Sequence, residues 1–286
     1  MLYLDQAFGS STSNISLAGI WLAKLIYILQ PYIYLFIFPI LIIITSGVIL
    51  WIWEFGQPLR QIDLETIFQD LKELPIILVF IVLSAQIYGY IEHHYILPVS
   101  GWGQHIHLWH MVLHSPLWLR FILAILLKDL IAYSYHLAMH HNMTFWRSHK
   151  WHHMQDQMYW LKGNKNSLVA KFIAKWDLIG FVLLGIPLNL TLIFVTAYSF
   201  FTFFVHSNIQ WQPWMKYVEW VLVTPRYHMV HHSSNIDLQK KNLGDLFTFC
   251  DRIFGTYVNP ETLDIKQQKF GILPKEPLTL RDILGV

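Results

Sequence analysis

Only one of the 286 residues, Cys250, is a cysteine, so the chain can form no internal disulfide and offers no thiolate cage to a metal. Charge is also scarce. Asp, Glu, Lys and Arg make up 13% of the sequence, against about 25% in an ordinary soluble domain. The net charge is +2 and no basic stripe is interleaved with aromatics, so no nucleic-acid partner is expected. Several motifs are missing as well. Without His-Glu-x-x-His there is no zincin site, without Glu-x-x-His no ferritin-like carboxylate centre, and without Gly-x-Gly-x-x-Gly no sign of a built-in nucleotide electron donor. There is no internal repeat and no low-complexity linker.

What the chain has in abundance is apolar surface, with 55% hydrophobic and 16% aromatic residues. Apolar runs long enough for about 30 Å of hydrocarbon occur at 31–53, 75–97 and 117–135, which predicts an integral membrane protein. The first 14 residues lack a basic region and the apolar segment after them contains Lys24, so no cleaved signal peptide is expected. Residues 15–29 are too few for a span and are expected at the membrane interface or on the bundle.

Basic residues set the orientation, because short loops rich in Lys and Arg stay in the cytoplasm. Segment 136–177 carries Arg147, Lys150, Lys162, Lys165, Lys171 and Lys175, whereas 92–116 carries neither Lys nor Arg. The first is therefore expected inside and the second outside. A fourth apolar stretch, 178–205, must begin and end on the inner side, yet it is shorter than the roughly 40 residues that two crossings need. A re-entrant helical hairpin turning near Gly185-Ile186-Pro187-Leu188-Asn189 satisfies both conditions.

On the inner side stand three histidine clusters: His136-x-x-x-His140, His149-x-x-His152-His153 and His228-x-x-His231-His232. Residues three and four apart share a helix face, so each cluster aims two or three imidazoles at one point. Grouped neutral imidazoles need partners and grouped cationic ones repel, so packing alone does not account for them. A metal centre does. Haem proteins hold single histidines within spans, whereas these lie at or beyond span ends. An all-imidazole shell suits iron, zinc or copper, and spacing does not choose among them. His93, His94, His105, His107, His110 and His114 fall on the opposite side and are read as structural.

These clusters belong to a wider pattern. An Asp seven residues before the first His of His-x-x-x-His, then Trp-x-x-His-x-x-His-His, His-x-Asn and Thr-Pro-x-x-His-x-x-His-His, resembles the sterol desaturase/fatty acid hydroxylase superfamily of integral membrane oxygenases. Here the pattern is met by Asp129, His136, His140, Trp146, His149, His152, His153, His206, Asn208, Thr224, Pro225, His228, His231 and His232. Asn242-Leu243-Gly244 and Asp251-Arg252-Ile253-Phe254-Gly255-Thr256 match the closing elements, and coverage runs from about 117 to 257. The sequence departs from many relatives after His153, where a Ser is common, and at Cys250, where a Trp is common.

The resemblance implies two iron ions, with zinc an alternative in isolated protein, held by His136, His140, His149, His152, His153, His206, His228, His231 and His232. Asp129 lies on the face of His136 and is expected to accept an imidazole N–H. It further implies O₂-dependent hydroxylation or desaturation of a fatty acyl, sterol or ether lipid, with electrons from an external donor such as a cytochrome or ferredoxin-type reductase. A metal-binding membrane protein without redox catalysis, such as a zinc-dependent hydrolase, is the competing reading.

The expected fold is all-α: a membrane helical bundle of three spans and a re-entrant hairpin, topped by a cytoplasmic histidine-rich helical cap. Residues 1–116 form its N-terminal membrane region, 117–258 the di-metal domain and 259–286 a cytoplasmic tail. Tyr159, Trp160, Tyr198, Phe200, Phe201, Phe203 and Phe204 are candidates for lining an acyl or sterol slot or for packing.

Overall fold

A computed structural model describes residues 37–286. The expectations for 1–30, and for the start of the first apolar run, lie outside the described residues. Residues 42–286 make one compact unit. It is helical, and among the described residues the only β pairings are isolated bridges such as Pro58 with Ile209.

Helix α1, Phe38–Gly56, has two faces. Ile44, Val48, Ile52 and Phe55 are exposed, whereas Ile43, Ser46, Leu50 and Glu54 are buried. That spacing is one helical stripe outward and one inward. Gly47 lies on the inner stripe because a Cβ there would come within 2.5 Å of the Trp160 ring. Helix α2, Leu64–Ile91, buries Asp70, Ile77, Phe80, Ser84 and Tyr88 at intervals of three, four and seven. It continues through a π-helical stretch, Glu92–Ile96, so that Leu64–Gln104 is one long apolar element.

Two helices then meet at a bend of 117°: α3, His107–Leu113, and α4, Leu117–His141. Pro116 precedes the first residue of α4 and fixes the corner. Helix α5, Met143–His153, follows after one residue, and Asn142 Oδ1 accepts the Thr144 and Phe145 amides at its start. Beyond it lie α6, Leu168–Ala174, α7, Ile179–Leu183, and α8, Leu188–Val205.

Among the described residues three elements are long and apolar enough to cross a membrane: Pro39–Gly56, Leu64–Gln104 and Leu188–Val205. They differ from the expected set. Helix α4, with Arg120, Lys128 and Asp129 among its apolar residues, qualifies only together with α3 across the bend. The stretch 178–205 breaks at Leu184–Pro187, with Leu188 and Asn189 of the expected turn already in α8, and it divides unequally, since α8 alone has membrane length.

In the turn between α7 and α8 Ile186 is buried while Gly185 and Pro187 are exposed, and side chains from α3 and α4 cap its carbonyls. Gly185 takes a left-handed φ of +61°, Arg120 donates to the Leu184 and Gly185 carbonyls at 3.0 and 3.2 Å, and Trp109 Nε1 donates to Leu183 O at 2.8 Å. Phe181 packs on Phe194 with ring centroids 4.9 Å apart, so the two arms lie side by side.

The cap is built from α5, a short helix α9, Met215–Val218, helix α10, Pro225–His231, the loop after it and helix α11, Phe249–Phe254. Residues 259–286 fold back onto this cap. Ile265 and Phe270 pack with Met158, Met229 and Val230, and helix α12, Leu280–Leu284, brings Asp282 to 3.0 Å from Lys150.

Candidate metal centre

Local sequence explains how each histidine is presented. Helices α4 and α5 are separated only by Asn142, so His136 and His140 at the end of one face His149 and His153 on the next. The Thr-Pro pair is a helix start. Thr224 Oγ1 accepts the Tyr227 amide at 3.3 Å and Pro225 takes the first helical position, where a missing N–H is harmless. His206 is the residue that ends α8.

All nine expected histidines converge, in two groups. His136, His140, His149, His153 and His231 form one, and His152, His206, His228 and His232 the other. Within each group the ligand atoms lie within 4.8 Å of one another. The grouping cuts across the sequence clusters. His152 and His153 are neighbours in the chain yet belong to different groups, as do His231 and His232, because adjacent helix positions point about 100° apart.

Hydrogen bonds fix the tautomers. A carbonyl can only accept, so each ring nitrogen facing one carries the proton. His136 Nδ1 donates to Leu243 O at 2.9 Å, His231 Nδ1 to Lys241 O at 3.2 Å, His152 Nδ1 to Lys165 O at 3.1 Å and His206 Nδ1 to Thr202 O at 2.7 Å. In the neutral rings every one of these four Nε2 atoms is then a bare lone pair. Yet His136 Nε2 lies 3.0 Å from His231 Nε2, and His152 Nε2 3.1 Å from His206 Nε2. Two lone pairs at that distance repel unless a cation is shared between them.

Protons are poor candidates for that cation. Burial pushes His149, His152, His153, His228, His231 and His232 well below the usual histidine range, and the neighbouring rings push further. His206 falls to about 4 from burial, despite its bond to the Thr202 carbonyl. Neutral, buried, pre-oriented imidazoles in two groups fit a pair of metal ions.

The expectation for Asp129 is not met. Its carboxylate accepts the Leu246 and Phe247 amides at 2.8 and 3.1 Å, with Cys250 Sγ 3.9 Å away, and it makes no bond to an imidazole. Seven residues restore the same helix face but stand about 10 Å further along the axis, out of reach of the His136 ring. His141, left out of the ligand set, is exposed and bonds the Leu137 carbonyl. His93, His94, His105, His107, His110 and His114 are all exposed, and among the described residues none joins a metal-capable group.

The aromatics divide in favour of packing. Tyr159, Trp160 and Phe203 are buried in one cluster with Ile43 and Leu50, and Phe200 and Phe204 lean on it. Phe201 packs against Val205, Val223 and Tyr227, while the Tyr198 hydroxyl donates to Asp245 at 2.5 Å. Asn208 pins the 59–60 loop by accepting the Arg60 amide and donating to its carbonyl.

Residues 121–256, which hold all nine histidines, match the model of the fatty acid hydroxylase family. The match covers 136 of the 286 residues. An alkylglycerol monooxygenase of Xenopus tropicalis is 26% identical over 239 residues, covering 81% of this chain and 48% of that protein. An ornithine lipid hydroxylase of Rhizobium tropici is 25% identical over 146 residues, 51% of this chain and 44% of that one. Human alkylglycerol monooxygenase is 26% identical over 125 residues, 44% and 27% respectively. The chain spans about half the length, or less, of these relatives. No solved structure matches it.

The matched segment is not self-sufficient. Buried carboxylates from outside it reach the chain beside the histidines: Glu54 on α1 accepts the Trp160 and Asn208 amides, and Asp70 on α2 pairs with the Lys162 and Lys165 side chains. Sequence reasoning passed over both. The signal was present: an acidic residue on the buried stripe of an apolar helix carries a desolvation cost that only a committed partner offsets.

Proposed function

We propose that this protein is a membrane-bound lipid monooxygenase with a non-haem di-iron centre, which inserts oxygen into an unactivated C–H bond of a lipid using O₂ and electrons from an external donor. The observation that carries this reading is the pairing of neutral, buried imidazole lone pairs in two groups. The nine histidines would hold the ions, five around one and four around the other. Iron bound there would supply O₂ activation. The protein's part is to hold the rings neutral and oriented through the carbonyls of Lys165, Thr202, Lys241 and Leu243. The names of the relatives, an alkylglycerol monooxygenase and an ornithine lipid hydroxylase, point to a polar-headed glycerol or amino lipid as substrate.

Lipid profiles of cells producing the wild type and His152→Ala test the reaction and substrate together. A lipid gaining one oxygen, or losing an alkyl chain through such a step, only in the wild type is the expected result. Identical profiles count against the oxygenase.

We further propose that the histidine cap faces the cytoplasm and that 178–205 is re-entrant. The basic residues of 136–177 support the first, and the Arg120-capped carbonyls of Leu184 and Gly185 with the side-by-side arms support the second. In a Cys250→Ser background, Arg147→Cys and Lys216→Cys are expected to react with an impermeant thiol reagent only from the cytoplasmic side, and Gln104→Cys only from the other. All three positions are exposed. Labelling of Arg147→Cys and Lys216→Cys from opposite sides would divide the histidines across the bilayer and end the single-site reading.

A further inference from the structure

We propose that the two histidine groups are oriented by separate carboxylate cradles, Asp251 for the five-histidine group and Asp70 for the four-histidine group, so that either metal can be lost without the other. This rests on the di-metal reading above.

The first cradle is a backbone loop. Leu243 O and Lys241 O receive the Nδ1 protons of His136 and His231, both members of the five-histidine group. The loop bearing those carbonyls is held by Asp251, which is fully buried. Its Oδ1 accepts the Leu243 amide at 2.8 Å and the Thr256 hydroxyl at 2.6 Å, and its Oδ2 accepts the Gly244 amide at 2.6 Å and the Tyr227 hydroxyl at 2.7 Å. Four donors converge on one carboxylate, so a charged acceptor is what the geometry requires. Gly244 permits the approach, because a Cβ there would lie 2.5 Å from Phe247 O and 2.9 Å from Asp251 Oδ2.

The second cradle is the tight turn Trp160–Asn164 and the residue after it. Lys165 O receives the Nδ1 proton of His152, and Gly163 lies so close to His206 that a Cβ would come within 2.9 Å of its Nδ1. Both rings belong to the four-histidine group. This turn is anchored by its own side chains. Asp70 accepts from Lys165 Nζ at 2.8 Å, from Lys162 Nζ at 2.5 Å and from the Tyr159 hydroxyl. Asp70 belongs to α2 and is only 2% exposed. Neither carboxylate touches a histidine, so both are positioning residues, each acting through carbonyl groups on its own side of the centre.

Replacing Asp251 by Asn keeps the size but exchanges an oxygen that accepts two of the four contacts for an NH2 that accepts neither, which displaces the loop. Replacing Asp70 by Asn leaves two buried ammonium groups short of their shared carboxylate. Outer partners of metal-binding histidines typically alter metal affinity by about 10–100-fold, and here each loss should fall on one ion.

The test is an anaerobic titration of the full-length, metal-stripped protein with iron(II) alone. Wild type is expected to bind two irons tightly. Asp251→Asn and Gly244→Ala should each retain one, and so should Asp70→Asn and Lys165→Met. Adding His206→Ala to Asp251→Asn should remove the remaining iron, whereas adding His136→Ala should not. Helix content and a monodisperse elution profile identify any variant that fails to fold. Gly244→Ala and Lys165→Met then stand in for the respective carboxylate variants, since they disturb the same cradles by different chemistry. Two tight irons in Asp251→Asn and Gly244→Ala would overturn the proposal, as would loss of both irons from a folded member of either pair. Collapse of both members of a pair also overturns it, since a cradle serving one group alone leaves the rest of the fold standing. A wild type that binds no iron overturns the di-metal reading instead.

Discussion

His231→Ala is expected to remove the metal of the five-histidine group and reduce the proposed lipid oxidation by more than about 100-fold, beyond the range typical of residues that only support a ligand. Its Nε2 lies 3.0 Å from that of His136 and 2.9 Å from that of His153, so it occupies the middle of the five-histidine group. Alanine leaves those rings aimed at a gap, and the Lys241 carbonyl loses its donor. His107→Ala is the matched control, since this histidine is exposed and far in sequence from the cap. It should keep both metal and activity. Elemental analysis showing full metal after both His231→Ala and His152→Ala would remove the basis for the site.

The histidines were legible because helix periodicity is local. Spacings of three and four placed imidazoles on shared faces, and the motif around them supplied His206, which no spacing rule would single out. The division into groups of five and four was not legible. It depends on how α4, α5, α8 and α10 rotate against one another, which assigns His152 and His153 to different groups. Asp129 shows the limit of face arguments, since a shared face says nothing about distance along the axis. Asp70 and Glu54 show another limit, because their partners lie far away in sequence at Lys162, Lys165, Trp160 and Asn208. In the membrane region, composition identified apolar stretches but not their ends. The polar residues inside α4 and the unequal division of 178–205 come from tertiary packing that pairs them.

Lys128 is where that packing should be most sensitive. Its side chain is fully buried on α4, between Asp177 at 3.4 Å and Asp245 in direct contact, with the Tyr198 ring centroid 3.5 Å from the ammonium. Tyr198 in turn donates to Asp245, so one cation ties α4, α8, the turn before α7 and the loop after Gly244 together. Removing one member of a buried ion network leaves the others uncompensated, at a cost of about 3–5 kcal/mol. Lys128→Met keeps most of the volume and is expected to destabilise the folded protein by that amount, read as resistance to denaturant in a fixed detergent. Asp245→Asn on top of Lys128→Met should recover part of the loss, because it removes one of the two stranded carboxylates. A Lys128→Met protein as resistant as wild type would mean that water reaches Asp177 and Asp245 once the lysine is gone, and the network would not be what holds these four elements in register.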